Sequence, residues 1–509
     1  MGRLVVAAIV TAWIIPISIL VNRIVPDPYM DEIFHVPQAQ KYCNGDFRSW
    51  DPMITTPPGL YYLSLPHVAS LFPGMWFLNK ISSFSGLCST AVLRSANGTF
   101  AVICSVLVYE ILMHLRPALG KRKATACAVL MALYPLHWFF TFLFYTDVAS
   151  LGAVLAMYLA CLKKQYWLSA MLGALSIFIR QTNVVWMLFV ASVGAIDYLF
   201  DTRQKDHVQK EGRKILTDKD GLNAGQKSMP RPPNIRRRKM DSSRSTVDYS
   251  TPQSRIVSNS FSPGLLNEFQ VILVLLWSSK WKILTSFFPF IVVLAMFISF
   301  VIWNGSLVLG AKEAHTASTH FAQMMYFSLV SAAAMAPLSL CQFAHIWQYF
   351  WQNKLSGVLQ GLVALIAGFI SVHFFSIAHP YLLADNRHYP FYLWRKVINV
   401  HWLMKYLLVP LYIYSWLSII KTLGKTQRKI WVLLFVLACA AVLVPSPLIE
   451  FRYYTIPFFF LVLHSNFEDY ISWGLMGMIY LTVNIFTMAI FLFLPFHWDH
   501  EPGIQRFIW

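Results

Sequence analysis

Residues 4–21, LVVAAIVTAWIIPISILV, form an apolar segment close to the start of the chain. A helix needs about 20 mostly apolar residues to cross the hydrocarbon core of a bilayer. This segment is long enough, and Pro16 is tolerated inside a bundle of membrane helices. A cleaved signal peptide is the alternative, but no cleavable signal is obvious. We therefore predict an uncleaved first transmembrane helix.

The composition of the whole chain extends this interpretation. Hydrophobic residues make up 57% of the 509 residues and charged residues only 13%, whereas a soluble domain usually carries about 25% charged residues. Bilayer lipid is the natural solvent for the excess apolar surface. The fold class is therefore an all-α polytopic membrane protein with about 12–14 transmembrane helices. The candidate spans are 4–22, 99–115, 125–143, 147–162, 165–179, 183–199, 283–303, 322–342, 355–378, 402–420, 430–446, 454–466 and 471–495.

Basic residues orient the predicted spans. Lys and Arg cluster at 116–123, 163–164 and 421–429, and clusters of this kind mark the cytosolic loops of multi-span proteins. We therefore expect a cytosolic N-terminus and a luminal loop at 23–98. Because the basic residues lie mainly between apolar segments, the formal charge of +18 reflects topology, and no binding of nucleic acid is expected.

The segment at 201–265 differs from the rest of the chain. It is rich in Lys, Arg, Asp, Ser and Pro and poor in large apolar residues, and such a composition does not bury enough surface to fold. We predict a mobile loop there and an interfacial helix at 266–277. The chain then divides into an N-terminal transmembrane module (1–200), a basic, largely disordered cytosolic loop (201–282) and a C-terminal transmembrane module (283–509).

The segment 29–35, YMDEIFH, places two adjacent carboxylates, Asp31 and Glu32, soon after the first predicted span. Two carboxylates near a membrane are costly unless they are solvated or paired. Acids in the first turn of a helix would explain the pair structurally, whereas in an enzyme one of them could serve as a general base. Adjacent residues point in different directions, so we expect Asp31 and Glu32 to have different roles.

Further polar residues fall in predicted turns on the same side of the membrane as Asp31. They are Asp147, Arg180, His315, His320, His379, Asp385, Arg387, His388, Glu450 and Arg452. The pairs at 385–387 and 450–452 also fit simple salt bridges, but Arg180 lies in an apolar stretch, where ionisable residues are usually functional. Together these residues predict a pocket with carboxylates on one side and Arg and His on the other. A phosphate suits the basic side.

The cysteines and histidines do not form a metal-binding pattern. The seven cysteines include no Cys-x-x-Cys pair, and His315 and His320 lack the i, i+4 spacing of helical zinc ligands. No metal and no other cofactor is therefore expected. Cys43 and Cys88 both fall in the predicted luminal loop, where an oxidising lumen permits a disulfide, although the sequence cannot prove the pairing.

Several of these motifs carry a family resemblance. YMDEIFH is followed by Pro37-Gln38-Ala39-Gln40, and the remaining matching segments are WDPMITT at 50–56, YTD at 145–147, RQTN at 180–183, WNGS at 303–306, ADNRHY at 384–389, EFRYY at 450–454 and QRFIW at 505–509. In this order they resemble the dolichyl-phosphate-glucose-dependent α-1,2-glucosyltransferases of N-glycan precursor assembly. The resemblance skips the basic loop.

The resemblance implies a GT-C-like bundle whose luminal loops form the active site. It implies transfer of glucose from dolichyl phosphate glucose to the diglucosylated dolichol-diphosphate oligosaccharide in the lumen of the endoplasmic reticulum, as the terminal α-1,2-linked residue. Inversion at the anomeric carbon needs one base and no covalent sugar–enzyme intermediate, and the class is thought to need no metal. The two lipid-linked substrates and the lipid of that membrane are the expected partners.

The resemblance also suggests roles for individual residues. The first luminal loop carries the base in the GT-C class, so Asp31 is expected to be the base and Glu32 is the fallback. The donor phosphate or the sugars are expected to contact Arg180, His379, Asp385, Arg387, His388 and Arg452.

Two other functions fit the sequence in part. A dolichyl-phosphate-mannose-dependent mannosyltransferase of the same class would use the same fold and acid pair, and physical arguments alone do not give the donor sugar. A multi-span transporter would place its ionisable groups near the middle of the membrane, within broken or repeated helices. Here they cluster at one face and no repeat is visible, which disfavours a transporter.

Overall fold

The computed structural model describes residues 1–77, 84–223, 264–352, 354–466, 469–499 and 501–509. Within these ranges the regular structure consists of helices and one two-stranded antiparallel sheet. The prediction of an all-α polytopic membrane protein is confirmed.

The helices of the N-terminal part run from residue 2 to residue 223. They are α1 (Gly2–Ile24), α2 (Glu32–Cys43), α3 (Gly59–Phe77), α4 (Phe84–Leu87), α5 (Thr90–Leu115), α6 (Lys121–Ala132), α7 (Pro135–Phe140), α8 (Thr146–Leu162), α9 (Tyr166–Ile179) and α10 (Asn183–Asn223). Within this part α5 packs against α1, α6 and α8, and α8 packs against α9.

The C-terminal part begins at residue 265 and ends in the sheet. Its helices are α11 (Leu265–Ser278), α12 (Lys280–Asn304), α13 (Ala322–Ala334), α14 (Ala336–Cys341), α15 (Phe343–Gln352), α16 (Lys354–Phe374), α17 (Pro380–Ala384), α18 (Tyr389–Leu393), α19 (Met404–Leu407), α20 (Val409–Gly424), α21 (Lys429–Leu443), α22 (Thr455–His464) and α23 (Tyr470–Phe493). The strands are β1 (Phe496–Trp498) and β2 (Glu501–Gln505), which pair as a hairpin.

Seven helices of the described residues are long and apolar enough to cross a bilayer: Gly2–Ile24, Thr90–Leu115, Asn183–Gln204, Lys280–Asn304, Leu355–Phe374, Met404–Gly424 and Tyr470–Phe493. An eighth span results if α13 is joined to α14 and α15 across a bend of 94°. The predicted total of about 12–14 spans requires shorter apolar helices such as α8, α9 and α21 to cross as well, and that total stays a prediction.

Besides the bent span at 322–342, two predicted spans have a different form in the structure. The span expected at 125–143 is divided, because α6 ends at Ala132 and a new helix begins with Pro135 as its first residue; proline lacks the amide proton that a continuing helix needs. The span expected at 454–466 is the ten-residue helix α22. It is about 15 Å long and buried along nearly its whole length, so it belongs to the protein core.

The chain divides into two compact units. One contains residues 1–194 and 284–509, and the other contains residues 195–283. In the second unit α10 continues to Asn223, although the sequence predicted a loop from residue 201. The added stretch is rich in the good helix formers Lys, Gln and Arg, and the first proline after it is Pro230. Most of the predicted mobile loop, at 224–263, lies outside the described residues.

The residues between α1 and α5, here called the first loop segment (25–89), have an apolar core of their own. Val36, Leu60 and Tyr61 are buried there together with Phe144 from the turn before α8. Cys43 and Cys88 form a disulfide across 45 residues, with their Cα atoms 6.5 Å apart. The segment that the sequence predicted as a loop is thus folded, and α2 is one of its helices.

Candidate active site

A residue in the left-handed conformation, Met30, directly precedes the acidic pair. Met30 has φ of 55°, a conformation that costs a non-glycine residue of order 1–3 kcal/mol and that concentrates at functional sites. It directly precedes Asp31, which is the N-cap of α2, while Glu32 is its first helical residue. The two carboxylates therefore leave the backbone at one turn but enter different surroundings.

Glu32 is completely buried, and both of its carboxylate oxygens accept hydrogen bonds. Its two carboxylate oxygens accept from Arg94 at 2.8 Å and 2.6 Å. They also accept from the backbone N–H groups of Phe144 at 2.6 Å and Tyr29 at 3.0 Å. Arg94 is equally buried and donates its remaining protons to Asn22 and to the carbonyls at 25 and 27. Glu32 thus joins α1, α2, α5 and the turn before α8.

Asp31 has an accessible carboxylate beside a cation. Arg452 donates from Nη1 to Oδ2 of Asp31 at 2.9 Å, and 44% of the Asp31 side chain remains exposed. Crowding by protein atoms would raise the pKa of this carboxyl, but Arg452, with smaller contributions from His35 and His388, holds the pKa below its usual range. Asp31 is therefore ionised at neutral pH and open to a ligand.

Arg452 lies at the centre of a charged chain. Glu450 accepts from its Nε at 2.8 Å and lies 2.5 Å from Nη2, while Asp147 lies 3.7 Å from Nη1. The other oxygen of Asp147 accepts from Arg180 at 2.6 Å. Burial would lower the pKa of Arg452, but Glu450, Asp31 and Asp147 raise it well above its usual value. Three carboxylates and two guanidiniums are thus linked.

A second charged group lies on the loop between α17 and α18. Asp385 accepts two hydrogen bonds from the Arg387 guanidinium, at 2.9 Å and 2.8 Å, and lies 3.7 Å from Nε2 of His388. Burial would raise the pKa of Asp385, but its hydrogen bonds from Arg387 and the charge of His388 lower it. The two charged groups are connected through the C-terminal residues, since Arg506 bonds to Tyr29, two residues before Asp31, and Gln505 bonds to Arg387.

His35 lies beside Asp31 on the first turn of α2. Its Nδ1 is 2.6 Å from the hydroxyl of Tyr61. Burial lowers the pKa of His35, while the charge of Asp31 opposes that shift. A neutral imidazole is thus expected there at neutral pH.

Direct contacts join Asp31, Arg452, Glu450, Asp147 and Arg180 in one group and Asp385, Arg387 and His388 in another. His379 instead caps α17, where its ring nitrogen accepts from the backbone N–H of Tyr381 at 3.2 Å. Sequence reasoning missed Arg94, which holds Glu32. The sequence offered little signal, because Arg94 fell inside the predicted luminal loop at 23–98, whereas in the structure α5 begins at Thr90. Among the described residues, no group of three or more His, Cys, Asp or Glu side chains is arranged to hold a metal.

The arrangement of these side chains suits proton transfer close to a negatively charged group. An ionised, accessible Asp31 can accept a proton, while Arg452 and the Arg387–His388 pair can face negative charge that develops nearby. The carboxylate partners Glu450, Asp147 and Asp385 orient these cations. Such a site fits a reaction between one substrate with a hydroxyl group to deprotonate and another with an anionic leaving group.

Comparison with known proteins identifies the family. The model of the DIE2/ALG10 family matches residues 25–463, which include Asp31, Arg387 and Arg452. The chain belongs to the DIE2/ALG10 family. This family member is 58% identical over 514 residues to a protein of Arabidopsis thaliana, and the match covers 100% of both chains.

Animal proteins are similar to this DIE2/ALG10 member at lower identity. A Homo sapiens protein is 33% identical, with 96% of this chain and 94% of that protein covered, and a Drosophila melanogaster protein is 28% identical with 97% and 96% covered. All three relatives carry the name Dol-P-Glc:Glc(2)Man(9)GlcNAc(2)-PP-Dol alpha-1,2-glucosyltransferase. No solved structure matches the chain at a significant level.

Proposed function

We propose that this chain is an inverting glucosyltransferase that transfers glucose from dolichyl phosphate glucose to the diglucosylated dolichol-diphosphate oligosaccharide, forming an α-1,2 bond. The plant, human and fly relatives are named for this reaction. The plant relative matches the chain over its full length at 58% identity, so there is little room for a different overall architecture. A mannosyltransferase or a transporter has no such support.

The contrast between Asp31 and Glu32 supports the assignment of the base. Glu32 is bonded to Arg94 and to two backbone N–H groups, so it has no oxygen left to receive a substrate proton. Asp31 is ionised and 44% exposed. This contrast supports Asp31 as the base and Glu32 as a structural residue.

The reaction proceeds in one displacement. The acceptor hydroxyl oxygen attacks C1 of the donor glucose, its proton passes to the Asp31 carboxylate, and the C1–O bond to phosphate breaks. The electron pair of that bond leaves with dolichyl phosphate. Because attack and departure occur on opposite faces of the sugar, the β-linked donor gives an α-linked product.

The cations of the site stabilise the departing phosphate. Arg452 bonds to Asp31, and each guanidinium is oriented by a carboxylate, Arg452 by Glu450 and Arg387 by Asp385. Loss of one well-aimed donor typically costs about 10²–10³ in rate. Arg180 acts through Asp147, which it holds beside Arg452, and His379 contributes only as a helix cap.

The membrane of the endoplasmic reticulum is the proposed location, with the site on its luminal side. The Cys43–Cys88 disulfide lies in the first loop segment together with Asp31, and disulfides persist in oxidising compartments such as this lumen. The basic clusters at 116–123 and 421–429 lie in other loops, as the positive-inside rule requires. Dolichol-linked substrates would approach from the surrounding lipid.

A donor-choice assay tests the proposed function. Purified protein in detergent or nanodiscs receives the diglucosylated lipid-linked acceptor with either dolichyl phosphate glucose or dolichyl phosphate mannose. We expect one hexose to be added only from the glucose donor, and α-1,2 linkage by glycosidase digestion. Transfer from the mannose donor at a comparable rate, or no transfer from either donor, would refute the proposal.

A further inference from the structure

The C-terminal residues 505–509, here called the tail, are bonded to the segment that carries the proposed base. The hydroxyl of Tyr29 donates to the carbonyl of Arg506 at 2.6 Å and accepts from the N–H of the same residue at 2.7 Å. Burial raises the pKa of Tyr29 to about 12, so its hydroxyl keeps its proton. Tyr29 lies two residues before Asp31.

The tail is also bonded to the loop that carries the second group of cations. Ile508 donates its N–H to the carbonyl of Arg387 at 2.9 Å, and its carbonyl accepts from the N–H of Tyr389 at 3.0 Å. The side-chain oxygen of Gln505 accepts from Arg387 at 2.8 Å, and the carbonyl of Trp509 lies 3.1 Å from Nδ1 of His388. The tail thus contacts both the backbone and the side chains of this loop.

A third set of contacts anchors the tail to the end of the last helix. The Arg506 guanidinium donates to the carbonyls of Phe491 and Leu492 at 2.8 Å and 2.9 Å, where α23 leaves carbonyls without helical partners. Arg506 is almost wholly buried. The tail therefore has a fixed point that is independent of both loops it joins.

We propose that the tail is a positioning element of the active site, which sets the distance between the Asp31 base and the cations at 387–388. This inference rests on the proposed function. Asp31 and Arg387 are far apart in sequence, and the tail links the turn at 29 directly to the loop at 385–389. A displacement of about 1 Å can cost about 10²-fold in rate, so a bridge of this kind would act on turnover more than on binding.

Tyr29→Phe tests the proposal at one end of the tail. It removes only the hydroxyl, and the ring still packs against Phe491. Tyr480→Phe is the matched control, because it also removes a buried hydroxyl bonded to a backbone carbonyl, that of Ala334 at 3.0 Å. We expect Tyr29→Phe to lower kcat about tenfold or more, with KM for the acceptor unchanged, and Tyr480→Phe to leave kcat near that of the native protein.

Gln505→Met tests the contact of the tail with the loop at 385–389, without altering the backbone. It removes the acceptor for Arg387 and is expected to raise KM for the donor and lower kcat, while size-exclusion profiles of the protein remain unchanged. If both Tyr29→Phe and Gln505→Met retained the kcat and donor KM of the Tyr480→Phe control, the positioning role would be refuted.

A double-mutant cycle distinguishes a positioning role of the tail from a general effect on the folding of the protein. If the tail couples the two sides of the site, Tyr29→Phe and His388→Gln together should lower kcat/KM by clearly less than the product of their separate factors. Independent, multiplying effects would overturn the proposal. The cycle needs only measurable hexose transfer, so it stays informative if Asp31→Asn proves active and the assignment of the base fails.

Discussion

Adjacent residues at 31 and 32 illustrate how local surroundings assign chemistry. Both are carboxylates on the first turn of one helix, yet Glu32 accepts four hydrogen bonds in a dry interior and Asp31 faces an opening with one guanidinium partner. A base must have a free lone pair within reach of the substrate, and of these two carboxylates only that of Asp31 is exposed.

Asp31→Asn is predicted to abolish nearly all turnover while the protein still folds. The amide keeps the shape and the N-cap position but cannot accept the proton, so kcat should fall by about 10²–10⁴. Turnover is measured with purified protein and both lipid-linked substrates, and folding by thermal unfolding. Near-native kcat in this variant would remove Asp31 from the role of base.

Glu32→Gln is the matched comparison and should show the opposite pattern. It leaves the Arg94 guanidinium buried without its counter-charge, and breaking a buried pair costs about 3–5 kcal/mol. We expect a large drop in the melting temperature and in the yield of folded protein. If the variant were as stable as the native protein, the structural role of the Glu32–Arg94 pair would be contradicted.

Arg452→Met is predicted to shift the acidic limb of the pH–rate profile to higher pH. Arg452 now holds the pKa of Asp31 below its usual range; without the guanidinium, burial dominates and raises that pKa. Since only the ionised carboxylate accepts a proton, activity is then lost earlier as the pH falls. Arg48→Met, an exposed position in the same segment, serves as the control and should leave the profile unshifted.

The sequence indicated most of the charged residues of the site but not their partners. Asp31, Asp385 and Arg452 were recognisable because charged residues stand out beside apolar segments. The pairing of Arg94 with Glu32 depends on three helices meeting at one point, and the contact between 31 and 452 joins residues 421 positions apart. Such long-range pairs follow from packing and not from local spacing.

At the scale of elements, hydropathy predicted the long, continuous helices but missed breaks close to the candidate site. α1 and α23 lie close to their predicted limits, because each is a long, continuous apolar run. The break between α6 and α7 was missed, although Pro135 marked it. The residues after this break, 141–145, supply the Phe144 N–H to Glu32 and the Tyr145 hydroxyl to the N–H of Asp31.

One prediction concerns the Cys43–Cys88 disulfide of the first loop segment. Under denaturing, non-reducing conditions, five cysteines should react with an alkylating reagent, namely Cys104, Cys127, Cys161, Cys341 and Cys439. After reduction, all seven should react. Intact-mass measurement distinguishes the two states. Seven modified cysteines before reduction would contradict both the disulfide and the oxidising location of this segment.

On the scale of the whole molecule, an apolar bundle supports a polar site at one face. The first loop segment, the turn before α8 and the turn before α22 come from distant parts of the chain and meet around Asp31. The loop after α17 is joined to them through the C-terminal residues. Composition could predict the membrane bundle, because backbone polar groups in lipid must be hydrogen-bonded within the protein, as they are in helices. It could not predict which spans would be short or bent, since buried helices such as α22 are as apolar as those that face lipid.

The most direct test of this account is a structure of the complex with the lipid-linked acceptor and a non-transferable analogue of dolichyl phosphate glucose. We predict a carboxylate oxygen of Asp31 within hydrogen-bond reach of the attacking hydroxyl, at about 2.6–3.2 Å, and the donor phosphate beside Arg452, Arg387 or His388. An acceptor hydroxyl directed at another carboxylate, or a phosphate bound away from all three cations, would contradict it.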